Sequence, residues 1–143
     1  MEFSDFADIL GQWSMQLAAT PLDCWIDEAN ARLAVVGDGV CCSIELLDPY
    51  DASDPQRLEA LLSQGGASLA CSCEGALAID PQTRCVVLIS WMPAPCNSDQ
   101  LLNRLESLAN QRAAMISLMH ATIHNQAPTL SGRTNLNYRQ PEV

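Results

Sequence analysis

The architecture of this chain is set by residues 74 to 118, which begin EGALAIDPQTRCVVLISWMPAPCNSDQLLNRLESLANQ. The pattern predicts two strands joined by a turn at residues 80 to 83, because Asp and Pro favour turns between apolar runs. Pro93 and Pro95 then stop the second strand, since proline lacks the N–H that a sheet requires. A long helix follows from Asn97, whose side chain can cap it together with Gln100.

Both faces of the second strand, residues 84 to 92, are apolar. Side chains alternate between the two faces of a strand. The two sets are Cys85, Val87, Ile89 and Trp91 on one face and Val86, Leu88, Ser90 and Met92 on the other. The long helix can cover only one of these faces. We therefore expect the other face to be covered by something other than the chain itself.

The segments before this hairpin predict a first helix, a three-stranded meander and a short helix. Their bounds are 3 to 18 for the helix, 24 to 26, 32 to 36 and 40 to 47 for the strands, and a start at Asp54-Pro55 for the short helix, after a loop from Asp48 to Ser53. The first strand of the hairpin is expected over 69 to 79. The fold class is therefore α+β, with a twisted, mainly antiparallel sheet and helices packed on one face, in the order α-β-β-β-α-β-β-α.

The length and the polar end of the chain predict one domain and a tail. A chain of 143 residues is long enough to bury a core of its own. We expect a single domain over residues 1 to 124. Residues 125 to 143 are rich in Pro, Ser, Thr, Asn and Arg, which predicts a flexible polar tail.

The charge balance restricts the partners. Seventeen Asp and Glu against seven Arg give a net charge of −10. This field repels nucleic acids and anionic membrane surfaces, so basic, neutral or apolar polypeptides are the expected partners. No apolar run approaches the ~18 residues of a membrane span, and no signal peptide is apparent. A cytoplasmic location is expected.

The residue types that carry catalysis or hold metals are present without a suitable spacing. The seven cysteines contain no C-x-x-C pair, so we expect reduced, buried thiols. His120 and His124 are four residues apart, but no third ligand lies in register beside them. The sequence therefore predicts no metal site, no cofactor and no enzyme activity. A cysteine-dependent enzyme or a thiol sensor remains the alternative from another class.

The order and spacing of these elements resemble the class I type III secretion chaperones of Gram-negative bacteria. Members of this family join a leucine-rich short helix, a strand ending in a Gly-x-Leu-x-Ile-Asp pattern, an apolar strand ending near proline, and a long leucine-rich helix. The matching segments here are Leu58–Leu62, Gly75–Asp80, Val86–Pro93 and Leu101–Met119. The likeness covers residues 3 to 124.

The resemblance implies a homodimer without cofactors that works in the bacterial cytoplasm. It would hold the N-terminal region of a secreted effector in a secretion-competent state. The alternative within the same fold is a regulator that sequesters another secretion-system regulatory protein.

The resemblance also implies two sets of site residues. The expected dimer interface is Leu58, Leu61, Leu62, Leu69, Cys71 and Cys73. The expected client-binding positions are Phe3, Phe6, Leu10, Trp13, Trp25, Val35 and Ile44.

Overall fold

The computed structural model describes residues 3–15, 20–62 and 75–139, with side chains over 5–15, 20–62 and 75–124. These ranges contain nine helices and strands. They are α1 (Phe3–Ser14), β1 (Leu22–Ile26), β2 (Ala29–Val36), β3 (Gly39–Leu47), α2 (Pro49–Ala52), α3 (Pro55–Ala60), β4 (Ala76–Ile79), β5 (Val86–Pro93) and α4 (Ser98–Arg139).

The five strands form one antiparallel sheet in the order β1-β2-β3-β5-β4. The meander supplies β1 to β3, and the later hairpin adds β5 beside β3, with β4 at the edge. A shift in register between Glu45 and Leu47 marks a bulge in β3. The predicted antiparallel sheet is confirmed. Residues 69 to 74, where the first strand of the hairpin was also expected, lie outside the described part.

The helices pack on one face of the sheet, as predicted. The core lies between that face and the apolar sides of α1, α3 and α4. Its fully buried side chains include Leu10 from α1, Leu61 beside α3, Leu101, Leu105 and Leu108 from α4, and Leu33, Ile44 and Leu88 from the sheet. Burial of such aliphatic side chains contributes about 1.5–3 kcal/mol each, so this single layer of contact stabilises most of the domain.

The segment predicted as a loop from Asp48 to Ser53 contains the short helix α2 over Pro49–Ala52, so the loop prediction is wrong there. Asp48 caps α2 by accepting a hydrogen bond from the Asp51 N–H at 2.7 Å, and Pro49 occupies the first turn. Asp54 and Pro55 repeat the same arrangement at α3, where the prediction of a helix is confirmed. A capping Asp followed by Pro starts a helix at both places, since proline loses no hydrogen bond in the first turn.

The last helix begins as expected and ends later. Asn97 and Gln100 cap α4 reciprocally, each side-chain oxygen accepting from the other residue's backbone N–H at 2.9 Å. The backbone then stays helical to Arg139, past residue 124, after which a polar tail was expected to begin. The division into a domain over 1 to 124 and a flexible tail stays a prediction.

Polar side chains on α4 attach it to the sheet at three places. Arg104 donates to the Ser90 hydroxyl on β5. Gln111 donates to the Gly75 carbonyl at 2.9 Å and accepts from the Gly75 N–H at 3.0 Å. The third contact is a 2.7 Å bond from Arg112 Nε–H to the carbonyl of Glu45, at the bulge of β3. These bonds fix the position of α4 along the sheet more narrowly than apolar packing alone.

Replacing Gln111 with alanine should therefore destabilise the fold. The change leaves the N–H and the carbonyl of Gly75 without their partner, which costs about 1–3 kcal/mol where such groups are shielded from water. The matched control is Asn110→Ala on the exposed side of the same helix. Alanine there should be neutral or stabilise by at most ~0.7 kcal/mol, because it favours helix. Urea unfolding followed by circular dichroism measures both, and equal stabilities would contradict the role given to Gln111.

Candidate functional site

The face of the sheet opposite the helices carries apolar side chains on its surface. We call it the outer face and define it by the strand residues that point away from the core. Its apolar members include Trp25, Ala34, Val36, Cys41, Ala76, Ala78, Val87, Ile89 and Trp91. On β5, Val86, Leu88 and Met92 are buried in the core. On the outer face Val87 is only 9% exposed, whereas Trp91 is 46% exposed. The predicted separation of the two apolar faces is confirmed.

The exposure of the outer face is greatest towards its margins. Trp25 on the edge strand β1 is 73% exposed and Val36 at the end of β2 is 52% exposed. Asp23 and Arg32 form a loose ion pair on this face, with 3.9 Å between Arg32 Nε and the Asp23 carboxylate. An exposed pair of this kind contributes ~0–1 kcal/mol, so apolar area dominates what the face can offer a partner.

Trp91 is held against the β2–β3 turn. Its indole N–H donates to the Val36 carbonyl at 3.1 Å. Gly39 lies directly beneath the ring, and a Cβ added there would collide with the ring and with the Met92 carbonyl. Glycine at 39 therefore permits the close approach of the ring. The indole is a fixed part of the outer face.

A groove of about 260 Å³ opens at the end of the sheet where α1 stops. Its walls come from the end of α1, the β2–β3 turn and the loop after β5. The lining residues are Trp13, Ser14, Val35, Gly37, Asp38, Gly39, Val40, Ala94, Pro95 and Cys96. The structure thus brings Trp13 and Val35, both predicted client-binding residues, to one place, with Val35 47% exposed and Trp13 only 6% exposed.

The other predicted client-binding residues are dispersed. Trp25 is on the outer face, and Phe6 is half-buried against the core. Leu10 and Ile44 are fully buried, so neither can touch a partner while the fold stays closed. The side chain of Phe3 lies outside the described part. A client-binding role for this set as a whole stays a prediction.

The predicted dimer residues also differ in exposure. Leu62 is 66% exposed just beyond α3, Leu58 is partly buried and Leu61 is in the core. Leu69, Cys71 and Cys73 lie outside the described residues. Ile79 on the edge strand β4 is 66% exposed and was not predicted. An apolar residue on a short edge strand is the signal that could have indicated it.

The overall arrangement has counterparts among solved structures. A chain in the HopA1–SchA chaperone–effector complex is 16% identical, with a TM-score of 0.51, over 80% of this chain and 97% of its own length. A chain in the ExsC–ExsE complex is 12% identical, with a TM-score of 0.50, over 78% and 92%. A chain of the ExoU–SpcU complex from the type III secretion system of Pseudomonas aeruginosa is 19% identical, with a TM-score of 0.49, over 78% and 95%.

The fold is that of a class I type III secretion chaperone. Comparison with protein-family models and with curated proteins gave no match. The matched region covers 92% of the chain in the ExsC–ExsE complex and 97% of the chain in the HopA1–SchA complex. The likeness therefore extends over nearly the whole length of each of these chains. It confirms the fold predicted from the resemblance in sequence.

The thiols within the described part of this chaperone fold are poor nucleophiles. Burial raises the pKa of Cys24, Cys41, Cys85 and Cys96 above the ordinary value. Burial, with a smaller contribution from the neighbouring Cys41, raises the pKa of Cys42 to about 12. A reactive cysteine requires the opposite shift, because the thiolate is the nucleophile. The described thiols therefore give no support to a cysteine-dependent enzyme.

The two histidines of α4 line a shallow depression with Arg57. Arg57 is itself engaged by Asp51 at 3.0 Å and by Asp54 at 3.3 Å. Across residues 3–15, 20–62 and 75–139, no group of three or more His, Cys, Asp or Glu side chains is arranged to hold a metal ion. Among the helices described, none has the length and apolar composition that crossing a membrane requires.

Cys42 should resist alkylation as long as the chain is folded. At pH 8 a thiol with a pKa of about 12 is ionised to roughly one part in ten thousand. Treatment with iodoacetamide and mass spectrometry of the peptides gives a rate for each cysteine. We expect Cys42 to react at least ~100-fold more slowly than Cys41, the partly exposed neighbour on the outer face. The two rates should converge in urea, and labelling of Cys42 at the rate of Cys41 in the folded chain would refute this picture.

Proposed function

We propose that this chain is a non-catalytic chaperone that binds part of a type III secreted effector in the bacterial cytoplasm and keeps it competent for secretion. The observation that carries the proposal is that, among the described residues, helices cover one face of the sheet and large apolar side chains remain exposed on the other. The similarity in fold to a chain of the HopA1–SchA chaperone–effector complex supports the same proposed function. No cofactor enters the proposed activity.

The exposed apolar side chains support a polypeptide partner. Trp25 near one end of the sheet, and Val36 with Trp91 near the other end, leave large apolar side chains exposed. Exposed apolar surface of this kind on a folded protein often marks a site that binds another protein. Aromatic anchors at such sites contribute much of the free energy of protein–protein binding. An extended or helical segment of another polypeptide would cover them.

The charge of the chain supports the same class of partner. A net charge of −10 disfavours nucleic acids and acidic surfaces, and it keeps a protein with exposed apolar area in solution. A client that is neutral or basic in its bound segment would meet no repulsion. The recognition proposed is therefore apolar contact on the outer face with favourable long-range electrostatics.

The client proposal can be tested on the outer face without disturbing the core. Trp25→Ser combined with Val36→Ser removes two exposed side chains that are not part of the core cluster. The matched control is Tyr50→Ser, an aromatic side chain that is 82% exposed on α2 and is not part of the outer face. We expect the double variant to bind the client about tenfold more weakly or worse, and the control to bind normally.

The client itself is found by co-purification from the native cell, followed by a secretion assay. The proposal requires a co-purifying protein whose secretion falls when the gene for this chain is deleted. A bound partner that is never secreted but controls secretion genes would favour the regulatory alternative. Normal secretion of every effector in the deletion strain, with no protein bound, would overturn both.

We also propose that the chain forms a homodimer through the region that follows α3, with Leu62 in the interface. Its 66% exposure leaves an apolar side chain to cover, and the neighbouring residues Leu69, Cys71 and Cys73 belong to the same predicted interface. The relevant variant is Leu62→Asp, which places a charge where the partner subunit would pack.

Light scattering on purified protein measures the dimer directly. We expect a mass of twice 15.5 kDa for the native chain. For Leu62→Asp we expect a shift of at least about tenfold in the dissociation constant, because burying an unpaired charge is costly. Circular dichroism confirms that the variant folds. A native chain that is monomeric at micromolar concentration would refute the dimer.

A further inference from the structure

The groove at the end of α1 combines apolar walls with one acidic side chain. Val35, which is 47% exposed, and Pro95 supply apolar surface, and Trp13 and Val40 line the groove with only 6% of each exposed. Asp38 at the tip of the β2–β3 turn is the charged residue among the described lining. In the part of the chain that the structure describes, the carboxylate of Asp38 has no ion pair or hydrogen-bond partner. The groove therefore presents an acidic group that its own surroundings leave unneutralised.

We propose that this groove binds one arginine or lysine side chain of the polypeptide partner. The aliphatic stem lies along Trp13, Val35 and Pro95, and the cationic head meets the carboxylate of Asp38. This inference rests on the proposed function only in taking the partner to be a polypeptide. The volume of about 260 Å³ lies below the ~300–1,000 Å³ of typical small-molecule pockets, and it suits a single long side chain.

Charge complementarity selects a cationic side chain over a purely apolar one. An apolar group that covered the groove would take Asp38 partly out of water without offering it a partner, which is unfavourable. A basic side chain removes that penalty and still covers the apolar walls, since Lys and Arg pack their stems on apolar surface while the head stays polar. Two of the described arginines pair with acids elsewhere, Arg32 with Asp23 and Arg57 with Asp51 and Asp54.

The walls of the groove are fixed before any ligand arrives. The Trp13 indole N–H donates to the Thr20 carbonyl at 2.7 Å, which holds the ring. The Ala94 N–H donates to the Asp38 carbonyl at 2.9 Å, so the turn is tied to the loop that follows β5. On the other side of the same turn, Trp91 bonds to the Val36 carbonyl. A site formed in advance loses little conformational entropy on binding.

The test uses the full chain and synthetic tripeptides, so it does not depend on finding the native client. ¹⁵N-labelled protein is titrated with acetyl-Val-Arg-Val-amide and with acetyl-Val-Gln-Val-amide. We expect saturable shifts at the Trp13 indole and at the amides of Gly37 and Gly39. The arginine peptide should bind about three- to fivefold more tightly than the glutamine peptide, as an exposed ion pair allows.

Variants of Asp38 separate charge from shape. Asp38→Asn should abolish the difference between the two peptides, and Asp38→Lys should bind acetyl-Val-Glu-Val-amide in preference. The matched control Glu106→Gln removes one negative charge from the exposed side of α4 and should keep the preference for arginine. Amide spectra of each variant show whether the fold is retained.

Three results would overturn the inference. They are equal affinities of the arginine and glutamine peptides, shifts that map away from the groove, and an unchanged preference in Asp38→Asn. Absence of any binding up to millimolar peptide would do the same. Each of these would leave the proposed chaperone function standing, because that function is judged by the secretion of the native partner.

Discussion

The attachment of one long helix to one face of the sheet is the constraint on which the rest of the structure depends. Polar side chains of α4 reach the sheet at Ser90, Gly75 and Glu45. Each such contact is lost if the helix slides or turns, and an unpaired polar group in that position costs more than the bond contributes. The helix α4 therefore stays packed on the core-facing side of the sheet. The outer face is left with the apolar residues that alternation along β5 places there.

Much of this architecture follows from local signals in the sequence. The two-residue alternation of Val86 to Met92, the reciprocal capping of Asn97 and Gln100, and the glycines of the β2–β3 turn each depend on neighbours only a few residues away. The bond between Gln111 and Gly75 joins residues 36 positions apart. Nothing in the pattern around Gln111 indicates that partner, because the sequence shows only a polar residue interrupting an apolar stripe.

The candidate site was harder to predict for a related physical reason. Alternation tells which residues of one strand share a face, but it does not tell which face of the next strand is aligned with it. Val35 and Ile44 point to the helix side of the sheet and Trp25 points away, although all three were expected to bind a client. Ile44 is then buried by its place in a central strand, whereas Val35 at the end of β2 opens into the groove. How far a strand residue is buried depends on which elements pack over its position, and side-chain alternation carries no information about that.

The acidic charge and the uncovered apolar face work together. An exposed sheet face with two tryptophans favours association with any apolar surface, including another copy of the same chain. Two copies that each carry a net charge of −10 repel one another as they approach, and salt limits this repulsion to a range of about 8 Å under physiological conditions. Random association across the outer face is thus opposed, while a neutral or basic segment is not repelled. The carboxylate of Asp38 beside the apolar groove favours a neutral or basic side chain over an acidic one for the same electrostatic reason.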